Sequence, residues 1–304
     1  MIVPEGYLPG ATLQPSVAHK PHPSTPLARP SDWQGGVCLR YDCPTAKTRL
    51  ASAWHQAPLK IQRPFYPESD PICHTVLIHT AGGMAGGDRL TYDIELLPKA
   101  RAVITTAAAG KIYRTGTQWV EQTLRIQVAA EACLEWLPQE TILFNQAQYQ
   151  QTLRVDLAPG ASWFGWDIYR FGRTARGERF LGGQWRSHTE VWQGDRPLWI
   201  DRQHLTGGPP CLDHLHGLNG SAVVGTLVWV GQGVERDFMQ RLRAHGQASV
   251  GEGTAGASRL PQGLVCRYRG NSITDVRRWF TQVWNDVRFY ALGQPACPSR
   301  VWQI

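Results

Sequence analysis

Four carboxylates stand where glycine, aromatic and arginine residues crowd together. Asp88 ends the string His79-Thr80-Ala81-Gly82-Gly83-Met84-Ala85-Gly86-Gly87-Asp88, and Glu140 ends Trp136-Leu137-Pro138-Gln139-Glu140. Asp167 follows Gly165-Trp166, and Glu178 closes Gly172-Arg173-Thr174-Ala175-Arg176-Gly177-Glu178. Two chemistries follow. A carboxylate beside Arg170, Arg173 or Arg179 meets the requirement that a buried charge be paired. A set of carboxylates facing one space would instead line a polar passage. Imidazoles offer a further possibility: His214 and His216, in Asp213-His214-Leu215-His216, and His74 and His79 near Cys73, could share a borderline ion such as Ni²⁺ or Zn²⁺. No set of four ligands at zinc spacing accompanies them, so a transient metal role fits better than a closed structural site.

Catalytic and nucleotide motifs are missing. The loop of Gly82, Gly83, Gly86 and Gly87 imitates a phosphate cradle, but Asp88 and a strand follow where a P-loop has Lys-Ser/Thr and a helix. It reads either as a turn whose glycines take positive φ, with Asp88 bonding the turn backbone, or as backbone pressed against a neighbour. Thr105 to Arg114 fails the P-loop spacing as well, and no Gly-x-Ser-x-Gly occurs. The expectation is a protein that is not an enzyme.

The elements that must carry these residues are mainly strands. Leu90, Tyr92, Ile94 and Leu96 alternate with polar neighbours, as do Val120, Leu124, Ile126 and Val128, then Tyr149, Leu153, Val155 and Leu157. A loose repeat sets Ala100, Ala132 and Ala161 at equivalent turns, which predicts β-hairpin-like units stacked as in a β-helix. The period changes near 235–246, where a short helix is predicted. A longer helix follows at 272–292, opened by a capping box of Ser272 and Asp275, with Ile273, Val276, Phe280, Val283, Trp284, Val287 and Tyr290 on one face. Residues 246–263 read as a Gly-rich flexible loop. Seven of 21 prolines fall within residues 1–32, read as a disordered Pro-rich arm ahead of a single β-rich domain over 33–304.

Composition narrows the partners. A net charge of +7 without a basic run argues against nucleic acid. No apolar stretch approaches the roughly 18 to 20 residues of a membrane span, and no signal peptide opens the chain. Seven cysteines without a CxxC pair fit free thiols in a cytoplasmic setting.

Taken together, the strings resemble the UreD family, also called UreH, of urease accessory proteins. The resemblance is carried by Gly82 to Asp88, by Thr105-Thr106 with Lys111, Tyr113 and Arg114, by Trp136 to Glu140 with Phe144, by Gly172-Arg173 with Gly177-Glu178, and by Leu264 to Arg288. Thr80-Ala81 departs from the family's usual Pro-Pro pair. The resemblance implies a non-catalytic scaffold of mainly β fold with two helices. Such a scaffold docks on apo-urease with UreF and the GTPase UreG, helps deliver Ni²⁺ and holds no tightly bound cofactor. It also implies a tunnel as the nickel route, associated with the positions of Asp88 and Glu178; Asp167 and Glu140 join them as candidates, and a homodimer within the complex is compatible. Two other classes remain open: a metal-dependent hydrolase on a β scaffold, and a carbohydrate-binding module using the thirteen tryptophans as stacking platforms.

Overall fold

A computed structural model describes residues 33–68 and 72–303. The arm over 1–32 lies outside the described residues. In chain order the strands are β1 (Gln34–Asp42), β2 (Arg49–Gln56), β3 (Leu59–Ile61), β4 (Cys73–His79), β5 (Arg89–Leu96), β6 (Arg101–Thr106), β7 (Gly110–Ile112), β8 (Val120–Val128), β9 (Cys133–Leu137), β10 (Thr141–Leu143), β11 (Ala147–Leu157), β12 (Ser162–Phe171), β13 (Gly183–Gln193) and β14 (Arg196–Thr206). Then come α1 (Pro209–Leu212), β15 (Val223–Val230), α2 (Arg236–Ser249), β16 (Thr254–Leu260), β17 (Gly263–Gly270) and α3 (Ile273–Leu292).

The strands form two sheets. One has the order β14-β13-β11-β8-β5-β1-β2; the other runs β16-β17-β15-β12-β9-β6-β4-β3, with β7 and β10 paired beside it. From β4 to β13 the chain alternates between the sheets and each strand pairs in parallel with the one a coil earlier, so the architecture is β-solenoid-like. The three alternating segments read from sequence fall into register: Tyr92, Leu124 and Leu153 share one rung, and Ile94, Ile126 and Val155 the next. These side chains are buried between the sheets.

The alanine repeat marks the corner where each coil passes from one sheet to the other. Ala100, Ala132 and Ala161 each donate N–H to the carbonyl three residues earlier, at 3.1, 3.1 and 3.0 Å. The preceding Lys99, Glu131 and Gly160 take φ of 67°, 61° and 76°. Pro98 and Pro159 stand one place before two of them, the signature of a turn with proline second and a left-handed third residue. The recurring unit is therefore a coil corner, and the two strands flanking it lie in different sheets.

Two of the helices, α2 and α3, cover the outer face of the second sheet. Val276, Trp279, Phe280, Val283, Trp284 and Val287 of α3 pack with Phe164, Trp166 and Leu227 of that face and with Phe238, Met239 and Leu242 of α2. Ser272 caps α3 by accepting the Asp275 N–H at 3.1 Å, as the capping box requires, and Gly293 ends it at φ 69°. Ser272→Ala is expected to cost about 1 kcal/mol in denaturant unfolding; no change would show that the cap is idle.

The expected flexible loop at 246–263 is corrected. The second helix runs on through Gly246 to Ser249, and β16 then pairs antiparallel with β17. A Cβ on Gly246 would stand 3.0 Å from the Trp279 ring, so glycine is what lets the helices approach. Only Ala257 of β16 is buried, too little apolar content for an alternation to show.

Candidate functional site

The motif strings, about 30 residues apart in the chain, meet at one corner of the coils. Met84, Ile112, Leu143 and Phe171 form successive rungs there. The Tyr113 and Phe144 rings meet edge to face at 5.2 Å, and the Arg173 guanidinium lies 4.3 Å from the centre of Phe144. A Cβ on Gly83 would stand 2.7 Å from the Lys111 carbonyl oxygen and 2.8 Å from the Tyr113 ring, so this glycine is pressed against the next coil. Of the four glycines, Gly87 alone takes positive φ, 95°.

Asp88 closes this loop. Its carboxylate accepts the Ala85 N–H at 2.8 Å and the Trp33 N–H at 3.4 Å. Glu178 sits at the far end of the same corner, where it pairs with Arg173 and accepts the Asn145 N–H at 3.1 Å. The Arg173 hydrogen bond holds its carboxyl below the usual range. Glu140 lies elsewhere, tied to Arg277 of α3 on the helix-covered side. His214 and His216 occupy an exposed loop after α1 with ring centres 5.3 Å apart. Among the described residues no three His, Cys, Asp or Glu side chains are grouped to hold a metal ion.

Asp167 points between the sheets, where a polar row crosses an apolar core. Tyr149 Oη shares its one proton between Gln122 Oε1 at 3.3 Å and Gln151 Oε1 at 3.1 Å, and Gln151 Nε2 donates to Asp167 Oδ2 at 2.9 Å. Beyond Asp167 stand Asp201, Gln203 and Thr226, lining with it a cavity of about 10 Å³, room for about one water. At the other end Gln122 and Trp136 line a cavity of about 190 Å³ whose walls include Gly82, Gly83 and His79. Trp136 borders both cavities. The row therefore joins the glycine loop to the open edge between β14 and β17. Of the four candidate carboxylates it contains Asp167; Asp88 and Glu178 lie at the motif corner and Glu140 against α3.

Burial first, and the nearby Asp201 charge second, push the Asp167 carboxyl up to about 7, against the opposing Gln151 hydrogen bond. Folded protein then binds this proton more tightly than the unfolded chain, where aspartate titrates near about 3.9. The group's effect on stability is thus unfavourable as pH rises from about 4 to about 7, by at most about 1.4 kcal/mol per pH unit. Asp167→Asn is expected to flatten that slope in unfolding experiments between about pH 4 and about pH 7. An unchanged slope would place the carboxyl in water.

The sequence concealed a second polar group. Arg288 is 2% exposed, donates to Glu68 Oε2 at 2.8 Å and to the Pro295 carbonyl at 3.0 Å, and lies 3.3 Å from Glu135 Oε1. Glu135 also accepts the Trp284 indole N–H, and Glu68 bonds His74 Nε2 at 2.6 Å. Burial raises Glu135, whereas the His74 and Arg288 bonds outweigh burial and lower Glu68. The position of Arg288 on the helix's inner face was its only local signal.

A family profile described as "UreD urease accessory protein" matches residues 34–303. The chain belongs to the UreD family. Among the relatives, the urease accessory protein UreD of Nostoc punctiforme (strain ATCC 29133 / PCC 73102) is 55% identical over 272 residues, covering 90% of this chain and 96% of its own. That of Acaryochloris marina (strain MBIC 11017) is 53% identical over 274 residues, with the same coverage, and that of Picosynechococcus sp. (strain ATCC 27264 / PCC 7002 / PR-6) is 48% identical over 290 residues, 95% of this chain and 98% of its own. The UreD motifs are thus the rungs of one corner, and the row ending at Asp167 lies behind them. No helix among the described residues of this UreD chain is long and apolar enough to cross a membrane, and all seven cysteines are free thiols.

Proposed function

We propose that this UreD-family chain is a non-catalytic scaffold of urease maturation, working in the cytoplasm with UreF and UreG on apo-urease and helping to carry Ni²⁺ to it. The observation that carries the conduit reading is the hydrogen-bonded row from Gln122 through Tyr149 and Gln151 to Asp167, which runs through the hydrophobic core between the sheets. Polar side chains in such a core are costly unless satisfied, and they offer neutral and anionic oxygens spaced along one line. Oxygen ligands hold Ni²⁺ more weakly than a thiolate or imidazole set would, which suits a cation that must be released. Asp88 and Glu178, at the corner bordering the larger cavity, are read as the outer part of that route.

Burial of Trp136, Trp163, Trp166, Trp279 and Trp284 favours this reading over a glycan-stacking module. Co-expression with urease subunits and the other accessory proteins tests it. Asp167→Asn, Asp88→Ala and Glu178→Ala are each expected to leave the accessory complex intact while lowering urease nickel content. Arg173 is 38% exposed, so losing Glu178 costs the fold about 1 kcal/mol or less. Lost assembly in these variants would assign the carboxylates to structure, and normal urease nickel would remove the conduit role.

A further inference from the structure

Asp167, Thr226 and Arg267 form one rung across β12, β15 and β17, on the face turned toward the other sheet. Asp201 reaches this rung from β14 of the opposite sheet. Arg267 Nη2 donates to Asp201 Oδ1 at 2.7 Å and Nη1 to Oδ2 at 2.9 Å, so both carboxylate oxygens are engaged. Gln203 Nε2 adds a bond to Oδ2 at 2.6 Å. Thr226 Oγ1 accepts from Arg267 Nη1 at 2.8 Å and from Gln203 Nε2 at 3.2 Å, which fixes the plane of the guanidinium. Exposure is uneven: Asp201 is 15% exposed and Arg267 42%, so the pair straddles the boundary between cleft and solvent.

We propose that Arg267 is an electrostatic latch on the open edge of the inter-sheet cleft, and that a divalent cation passing this edge takes Asp201 from it. This rests on reading the cleft as a cation passage. While the bidentate pair is closed, Asp201 has its oxygens turned to the guanidinium, and the positive head stands where an arriving cation would approach. Arriving Ni²⁺ competes for the same two oxygens, with Asp167 one strand position from Thr226 as the second carboxylate. The guanidinium is 42% exposed, so solvent weakens the pair from that side, and Arg267 can turn outward over Trp199, whose ring centre is 6.0 Å away. A clasp that only joined the two sheets would also pair β14 with β17, but it would make no demand on cation affinity.

The test is Ni²⁺ binding by the full chain, measured by equilibrium dialysis in a parent carrying His214→Ala and His216→Ala so that the exposed imidazoles do not compete. Arg267→Gln, which keeps amide donors and removes the charge, is expected to bind Ni²⁺ at least about tenfold more tightly than the parent. Adding Asp201→Asn is expected to abolish that gain. Arg267→Lys keeps the charge but not the fork, and is expected to fall between parent and Arg267→Gln. Unchanged or weaker binding by Arg267→Gln of parental thermal stability overturns the latch. If that variant unfolds, Arg267→Lys decides, and parental affinity overturns the latch. Failure of the passage itself reads out separately, as parental urease nickel with Asp167→Asn, a variant in which the latch is intact.

Discussion

Phe280→Ala is expected to cost the fold about 3 to 5 kcal/mol, the range for removing a fully buried aromatic ring from a core that cannot collapse to fill the space. Phe280 is 0% exposed. Its ring lies 6.2 Å from Trp166 of the second sheet and 5.4 Å from Trp279 of its own helix. A Cβ on Gly225 would stand 3.0 Å from it, so the strand beneath has already been reduced to glycine to admit the ring. Rigid neighbours on three sides leave little freedom to relax. Phe289, on the same helix but 52% exposed, supplies the control: Phe289→Ala is expected to stay within about 0.5 kcal/mol. Denaturant unfolding of both variants checks the contrast. A Phe280→Ala loss below about 1 kcal/mol would mean that α3 does not bury this face.

Arg288→Ala is expected to be as damaging, by a different route. Here the loss is of charge balance: Glu68 and Glu135, 8% and 4% exposed, would be left without their shared cation. Removing one partner of a buried ion pair costs about 3 to 5 kcal/mol because the remaining charge stays desolvated. The variant should recover part of that loss when Glu68→Gln and Glu135→Gln are added, since neutral amides need no counter-charge. Equilibrium unfolding of the single and triple variants checks this. A triple variant no more stable than Arg288→Ala would show that the side chain stabilises through packing and its bond to the Pro295 carbonyl rather than through charge.

Much of the scaffold was legible because it is written in short-range spacing. Alternation at Leu90 to Leu96, Val120 to Val128 and Tyr149 to Leu157 reports which side chains point inward, whatever strand lies alongside. The recurrence of Ala100, Ala132 and Ala161 reports a corner whose geometry depends on four consecutive residues, and the Ser272 cap with its 3.6-residue face defines α3 by itself. The glycine string left a positive-φ turn and a tight approach both open; Gly87 takes the first, at φ 95°, and Gly83 the second, standing where a Cβ would strike Tyr113 of the next coil.

The candidate site was legible only in part. Asp167 stood out by its neighbours in the chain, but nothing near it pointed to Asp201, Gln203 or Arg267, which reach it from 34 to 100 residues away. Period-two alternation fixes a strand's inward face but not its partners, so the rung that sets Thr226 between Asp167 and Arg267 exists only after β15 and β17 have paired. Arg288 and Glu68 meet across 220 residues in the same way. Glu140 and Glu178, alike with Asp167 in their Gly- and aromatic-rich strings, were separated from it by the path of the coils. The sequence by itself determined the alternating strands of the coils, the recurring turn and the capped helix, because backbone sterics and side-chain periodicity act over a few residues; β16, with one buried residue, and the passage of each turn between two sheets were not among them. Which carboxylate faces the cleft and which meets an arginine was decided by the tertiary structure, because a charge is placed by whatever distant strand or helix completes its surroundings.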